Sequence, residues 1–259
     1  MKTPALFVGH GSPMNAIEEN GFTRSLLEVR ADLPSKPRAI LTVSAHWETK
    51  GVCVQASKAP KTIHDFGGFP QALFDVQYPA PGAPELARKI EELLRDEGAR
   101  ATEDWGLDHG AWSVLRHLYP DADVPVLQLS LDLLRSPREH LRVAEKLKPL
   151  REEGVLILGT GNIVHNLRTI QWRGGSAAYD WAVRFDEAVK TALLKRDPLE
   201  IVKLMEEGSE DYRSSVPSVE HFLPLLYVSA VSDENEQPSF PFEGIEMGSI
   251  SMRSVLYGN

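Results

Sequence analysis

Apolar residues fall along this chain in short runs, and the spacing within each run predicts its element. Ala5 to Val8 are four consecutive apolar residues that stop at Gly9-His10-Gly11-Ser12-Pro13. A second run, Ala39-Ile40-Leu41-Thr42-Val43-Ser44-Ala45, enters His46-Trp47, and a third, Val155-Leu156-Ile157-Leu158, enters Gly159-Thr160-Gly161-Asn162 with His165 close behind. Each reads as a buried strand. Residues 51–55 and 124–129 read as further strands, and residues 248–257 as a last one with rough alternation. Helical spacing marks residues 23–29, 85–96, 113–118 and 177–195, the last with Trp181, Phe185, Val189, Ala192 and Leu193 on one face. Ser136-Pro137-Arg138-Glu139 is a capping box with proline at the first helical position, predicting a helix from there to near Gly154. Pro198 opens another short helix, and residues 217–227 read as a helix that Pro224 distorts or delimits. Between these elements, residues 59–82 are irregular and rich in Pro and Gly, and a loop of that length is often functional.

Strands alternating with helices predict an α/β fold with a mostly parallel central sheet flanked by helices. No internal repeat, low-complexity tract or linker interrupts it, so residues 1–259 are expected to form one domain. In open α/β sheets ligands sit beyond the carboxyl ends of the strands. Three apolar runs each deliver a histidine at or soon after that end. If the runs are parallel neighbours, His10, His46 and His165 converge on one edge, and a metal site is expected there.

Composition narrows the function classes. The chain carries 37 acidic against 28 basic residues, a net charge of -9. That balance argues against a nucleic-acid partner and against docking on anionic lipid. Cys53 is the single cysteine, which fits a reducing compartment. No apolar run approaches the ~20 residues of a membrane span, and the short N-terminal lead has no signal-peptide core, so a cytoplasmic protein is expected.

Eight histidines are the candidate chemistry. His117 and His140 lie within amphipathic or charged helical patterns, where a packed or solvated side chain is the ordinary outcome. His10, His46, His64, His109, His165 and His221 lie in loops, at strand ends or near a proline-marked helix end. The successive intervals of 36, 119 and 56 residues, from His10 to His46, from His46 to His165 and from His165 to His221, match no zinc finger or H-E-x-x-H pattern. They fit a site assembled from distant loops on a rigid sheet. Neutral imidazoles suit Zn, Fe, Cu and Ni. Gly9-His10-Gly11 and Gly159-Thr160-Gly161 begin like a dinucleotide fingerprint, but Met14 and Val164 stand where its third glycine belongs. Ser12 is not in a G-x-S-x-G elbow.

Taken jointly, Gly9-His10-Gly11-Ser12-Pro13, Ser44-Ala45-His46-Trp47, His64-Asp65-Phe66-Gly67-Gly68-Phe69-Pro70, Asp108-His109-Gly110-Ala111-Trp112, Gly161-Asn162-Ile163-Val164-His165-Asn166 and Glu220-His221-Phe222-Leu223-Pro224-Leu225 resemble class III extradiol ring-cleavage dioxygenases of the 4,5-DOPA dioxygenase branch. In the wider sense the chain is similar to the catalytic subunit of protocatechuate 4,5-dioxygenase. The resemblance covers nearly the whole chain. It implies an enzyme that opens a catechol-type ring, such as that of DOPA, with O2, using one divalent metal: Fe(II) for activity, with Zn(II) suited to the same histidines. It gives the metal to His10, His46 and His221, with His165 as a further ligand or as the acid/base. His109 carries over as the contact to a substrate hydroxyl or oxygen. Better-known members use a carboxylate where His221 stands, and the neighbouring Glu220 is expected to point elsewhere on a helix. Phe66, Phe69 and Trp112 are candidates for walling the ring, the alternative for aromatics beside glycines being plain core packing. Two other readings of the scaffold are a zinc hydrolase acting on an amide or ester, and a metal-binding or interaction protein without turnover.

Overall fold

The computed structural model describes residues 2–33, 36–172 and 177–258, so both ends of the expected 1–259 domain, Met1 and Asn259, lie outside them. The strands are β1 (Ala5–Gly9), β2 (Ala39–Glu48), β3 (Cys53–Gln55), β4 (Arg100–Thr102), β5 (Val126–Leu131), β6 (Val155–Gly161), β7 (Ile245–Glu246), β8 (Ile250–Ser251) and β9 (Val255–Tyr257). The α-helices are α1 (Gly21–Asp32), α2 (Gln71–Phe74), α3 (Pro84–Leu93), α4 (His109–Leu118), α5 (Pro137–Glu145), α6 (Asp180–Leu194), α7 (Leu199–Glu207), α8 (Glu210–Ser215) and α9 (Leu223–Ala230).

Seven strands form one sheet in the order β4-β3-β5-β2-β6-β1-β9, and β7 pairs with β8 apart from it. The four central strands are parallel, while β3 joins β5 and β9 joins β1 antiparallel. Alternation along β1 shows why the central strands are apolar throughout. Ala5 and Phe7 enter a core shared with residues of α3, α5, α6, α7 and α9, while Leu6 and Val8 enter a core on the other face with Phe22, Leu26, Trp112 and Leu115. A strand covered by helices on both faces has no polar side to show.

Register sets the histidines side by side. Gly9 pairs with Gly161, and Ser44 with Thr160, so the three strand ends stop at one level. The His10 N–H donates to the Gly161 carbonyl at 3.0 Å, which extends the ladder one step into the first histidine.

Several boundaries differ from expectation for identifiable reasons. The helix predicted to run from Ser136 to near Gly154 stops at Glu145, and 3-10 turns with Pro149 near their start follow over Lys148–Glu153. The helix containing Trp112 begins at His109 rather than Ser113, because the Asp108 side chain caps it, accepting from the Ala111 N–H at 3.2 Å. His109 is therefore a first-turn helical residue and not a loop residue. The helix predicted over 217–227 begins at Leu223, with Pro224 in the first turn, where its missing N–H costs nothing. His221 thus sits in the turn before it. The final predicted strand is two pieces, because β8 pairs with β7 whereas β9 crosses to β1. The short β4 and α8 gave no pattern long enough to read.

Candidate active site

Five of the eight histidines meet at the carboxyl edge of the sheet. His10 follows β1, His46 lies near the end of β2, His109 opens α4, His165 follows β6, and His221 precedes α9. Ring centroids are 5.1 Å apart for His10 and His46, 5.3 Å for His10 and His221, and 4.0 Å for His46 and His109. His165 stacks on His221 with centroids 3.5 Å apart and planes 9° from parallel. The remaining three are engaged elsewhere. His64 Nε2 is 2.9 Å from the Val76 carbonyl, His117 Nε2 is 2.8 Å from the Asn15 carbonyl, and His140 Nδ1 is 2.9 Å from the Tyr227 hydroxyl.

Within the five, His10, His46 and His221 each offer a nitrogen within 4.8 Å of the other two. His10 Nε2 and His46 Nε2 stand 3.4 Å apart. Two imidazole nitrogens bound to one tetrahedral ion at ~2.1 Å would be separated by roughly that distance. The outer nitrogens of His221 and His46 face acceptors, whereas His10 Nδ1 is buried without a partner. His221 Nδ1 faces Asn162 Oδ1 at 3.3 Å and His46 Nδ1 faces Asp65 Oδ2 at 3.5 Å, leaving each Nε2 lone pair free. Burial, followed by the nearness of the other rings, holds His10 and His221 well below the ordinary imidazole value. Burial and the neighbouring His109 bring His46 down to about 4 against the opposing pull of Asp108 and Asp65, and burial with His46 and His109 brings His165 to about 4. Neutral imidazoles with free lone pairs are what a divalent transition metal requires.

Two glycines admit this closeness. A Cβ on Gly161 would stand 2.1 Å from the His221 carbonyl oxygen, and one on Gly110 would stand 2.7 Å from Ser44 Oγ and 2.9 Å from the His46 ring. Beneath them, the fully buried Asp108 accepts from Ser44 Oγ at 2.6 Å and from Gln128 Nε2 at 2.7 Å, tying β2, α4 and β5 together.

The cavity over the histidines has a volume of about 310 Å³. His165 and His109 both line it, and Phe69, Leu167, Ile170, Trp172, Met247 and Ile250 supply apolar wall. Of the three expected ring-walling aromatics, only Phe69 lies on that surface. Trp112 is fully buried, with its Nε1–H donating to the Ile63 carbonyl at 2.8 Å, so it is core packing. Phe66 packs edge-on against the His109 ring, 5.5 Å between centroids, from behind the cavity surface. A larger cleft, about 540 Å³, contains Arg38 and Pro84 at the opposite end of β2 and none of the candidate histidines.

Glu220 differs from expectation as well. It lies in the turn before α9, and its carboxylate comes within 4.8 Å of nitrogens of both His165 and His221 instead of pointing away on a helix. Sequence reading gave no role to Asp65, Asn162 or the wall residues Ile170, Met247 and Ile250. Asn162, directly after a strand-end glycine, carried a readable signal. Ile170 and Met247 come from segments without periodicity and carried none, and the rough alternation that placed Ile250 in a strand did not mark it as cavity wall.

Comparison with known proteins identifies the family. Residues 4–252 match the family model described as the catalytic LigB subunit of aromatic ring-opening dioxygenase, and the chain belongs to that family. The family's dioxygenases are metal-dependent and act on an aromatic substrate with O2. Among individual relatives, the 4,5-DOPA dioxygenase extradiol of Escherichia coli (strain K12) is 49% identical over 99% of this chain and 95% of its own length. The protein of the same name from Portulaca grandiflora is 35% identical over 98% of this chain and 95% of its own. A crystal structure of an uncharacterized protein from Escherichia coli K12 superposes with a TM-score of 0.87 at 45% identity, covering 99% of this chain and 100% of that one. The reaction class is extradiol aromatic ring opening. Among the described residues, no helix is long and apolar enough to cross a membrane.

Proposed function

We propose that residues 1–259 form one catalytic domain that opens the ring of a catechol such as DOPA, with a single divalent metal held by His10, His46 and His221. The observation that carries the reading is the trio of neutral imidazoles, His10 and His221 buried and His46 half-buried, at the floor of an apolar cavity. Fe(II) is the metal of the working enzyme, and Zn(II) suits the same all-nitrogen set. When bound, the metal supplies positive charge that acidifies the catechol hydroxyls and a place for O2 beside the diol. The chain's own residues do the rest. Phe69, Ile170 and Ile250 seat the ring and exclude water. His165, neutral and on the cavity wall, takes a hydroxyl proton at a ring nitrogen and returns it later. His109 steers a substrate hydroxyl or oxygen from the start of α4. The single, buried Cys53 supports a reducing cytoplasm as the compartment.

Anaerobic loading with Fe(II), followed by a catechol panel including DOPA under O2, tests the reaction. A yellow ring-fission product with matching O2 uptake is expected. Absence of O2 consumption with every catechol, together with Zn-dependent ester or amide hydrolysis, would overturn it in favour of a hydrolase. Metal analysis of His46→Ala tests the site itself: the variant is expected to lose its metal, and retention of a full equivalent would count against this ligand set.

A further inference from the structure

Asp65 comes from the irregular segment between β3 and α2, yet its side chain is only 18% exposed and turned into the site. One oxygen, Oδ1, accepts from the backbone N–H of His109 at 2.9 Å. The other, Oδ2, lies 2.9 Å from His109 Nδ1 and 3.5 Å from His46 Nδ1. A single carboxylate therefore faces the outward nitrogens of two rings whose centroids are 4.0 Å apart. Neither contact has the alignment of a hydrogen bond, but an Nδ1 lone pair turned toward the carboxylate would be repelled by it, so the charge of Asp65 favours a proton on Nδ1 in each ring. Both Nε2 lone pairs are then left for the other side, where His46 Nε2 meets His10 Nε2 and His109 lines the cavity.

We propose that Asp65 is a positioning residue that fixes the tautomer of His46 and His109 together, making one ring a ligand and the other an acceptor facing substrate. This rests on reading His46 as a metal ligand. Outer partners of ligating histidines typically change metal affinity by about 10–100-fold when removed. Here the same group also sets the ring opposite the substrate, so metal retention and turnover are coupled through one side chain.

The test uses an inversion that a purely structural role would not produce. In Asp65→Asn the amide oxygen is claimed by the His109 backbone N–H, so the NH2 faces both Nδ1 atoms and favours the wrong tautomer on each ring. Asp65→Ala removes the acceptor without imposing a tautomer. The expected order is that Asp65→Asn binds Fe(II) or Zn(II) more weakly than Asp65→Ala, by roughly tenfold or more. Its kcat falls more than its KM rises, while its thermal stability stays nearer wild type. Nitrogen-15 NMR of the metal-free wild type should show protons on Nδ1 of both rings, and Asp65→Asn should move them to Nε2. The proposal is overturned if Asp65→Asn keeps wild-type metal affinity and kcat, if Asp65→Ala is the worse variant in step with lost stability, or if the metal-free rings carry their protons on Nε2. A second metal equivalent that vanishes in Asp65→Ala would also overturn it, by making His46, Asp65 and His109 a ligand set. The NMR readout needs no metal, so it stands apart from the His46→Ala metal analysis: that analysis can fail while the tautomers hold, and the reverse.

Discussion

At the scale of single residues, His140 shows what a histidine outside the site does in this fold. It is fully buried on α5 with Nδ1 2.9 Å from the Tyr227 hydroxyl. Burial, and then the charge of Arg135, push its pKa from 6.5 down to about 4. The unfolded chain keeps the ordinary value, so between those two pH values the unfolded state binds the extra proton. Stability from this residue is complete above about pH 6.5 and is lost as pH falls toward 4, by up to about 3 kcal/mol. His140→Ala is expected to lower the unfolding midpoint at pH 8 through lost packing, and to flatten the decline in stability between pH 6.5 and 4. Metal content and turnover per folded molecule should be unchanged. Urea unfolding across that pH range checks the first part, and metal analysis with a catechol assay checks the second. Loss of metal in this variant would mean that the imidazole reaches the site after all.

At the scale of elements, β6 and the turn into α9 illustrate how strand ends become a site. Gly159 and Gly161 lie directly under that turn: a Cβ on the first would stand 2.6 Å from the Pro224 carbonyl oxygen, and on the second 2.1 Å from that of His221. The obstacles are backbone atoms, which cannot rotate away, so the two glycines permit the close approach that delivers His221. Gly161→Ala is expected to leave the sheet folded but displace His221, weakening metal binding by tenfold or more and turnover with it; isothermal titration with Zn(II) beside a far-UV spectrum measures both. The strands that carry His10, His46 and His165 were legible because buried central strands read as continuous apolar runs. His221 was legible as a candidate near a proline-marked helix end, but its role as a ligand came from the resemblance, since the segment read as helix is in fact the turn before α9. Asp65 was spelled out in a motif without a role, because a loop carboxylate announces its partners only when the chain is folded. Trp112 was misassigned to the cavity for the opposite reason: an aromatic next to a capped helix start looks alike whether it faces a ligand or the core.

At the scale of the whole molecule, five segments from both halves of the chain bring imidazoles to one sheet edge, and only the folded state can do so. An ion shared by His10, His46 and His221 has no equivalent site in the unfolded chain, so binding must add to folding stability. At an ion concentration one hundred times Kd the gain is about 2.7 kcal/mol. For a domain of this size each kcal/mol moves the melting temperature by roughly 2–4 °C. Stripping the metal with a chelator is therefore expected to lower the melting temperature by about 5–10 °C, and adding back Fe(II) anaerobically, or Zn(II), to restore it. His46→Ala supplies the control: with one of three ligands gone, the same additions should move its midpoint little. Wild-type protein that melts at one temperature with and without metal would show that the rings, though close, share no ion, and the ligand assignment would fall with that result.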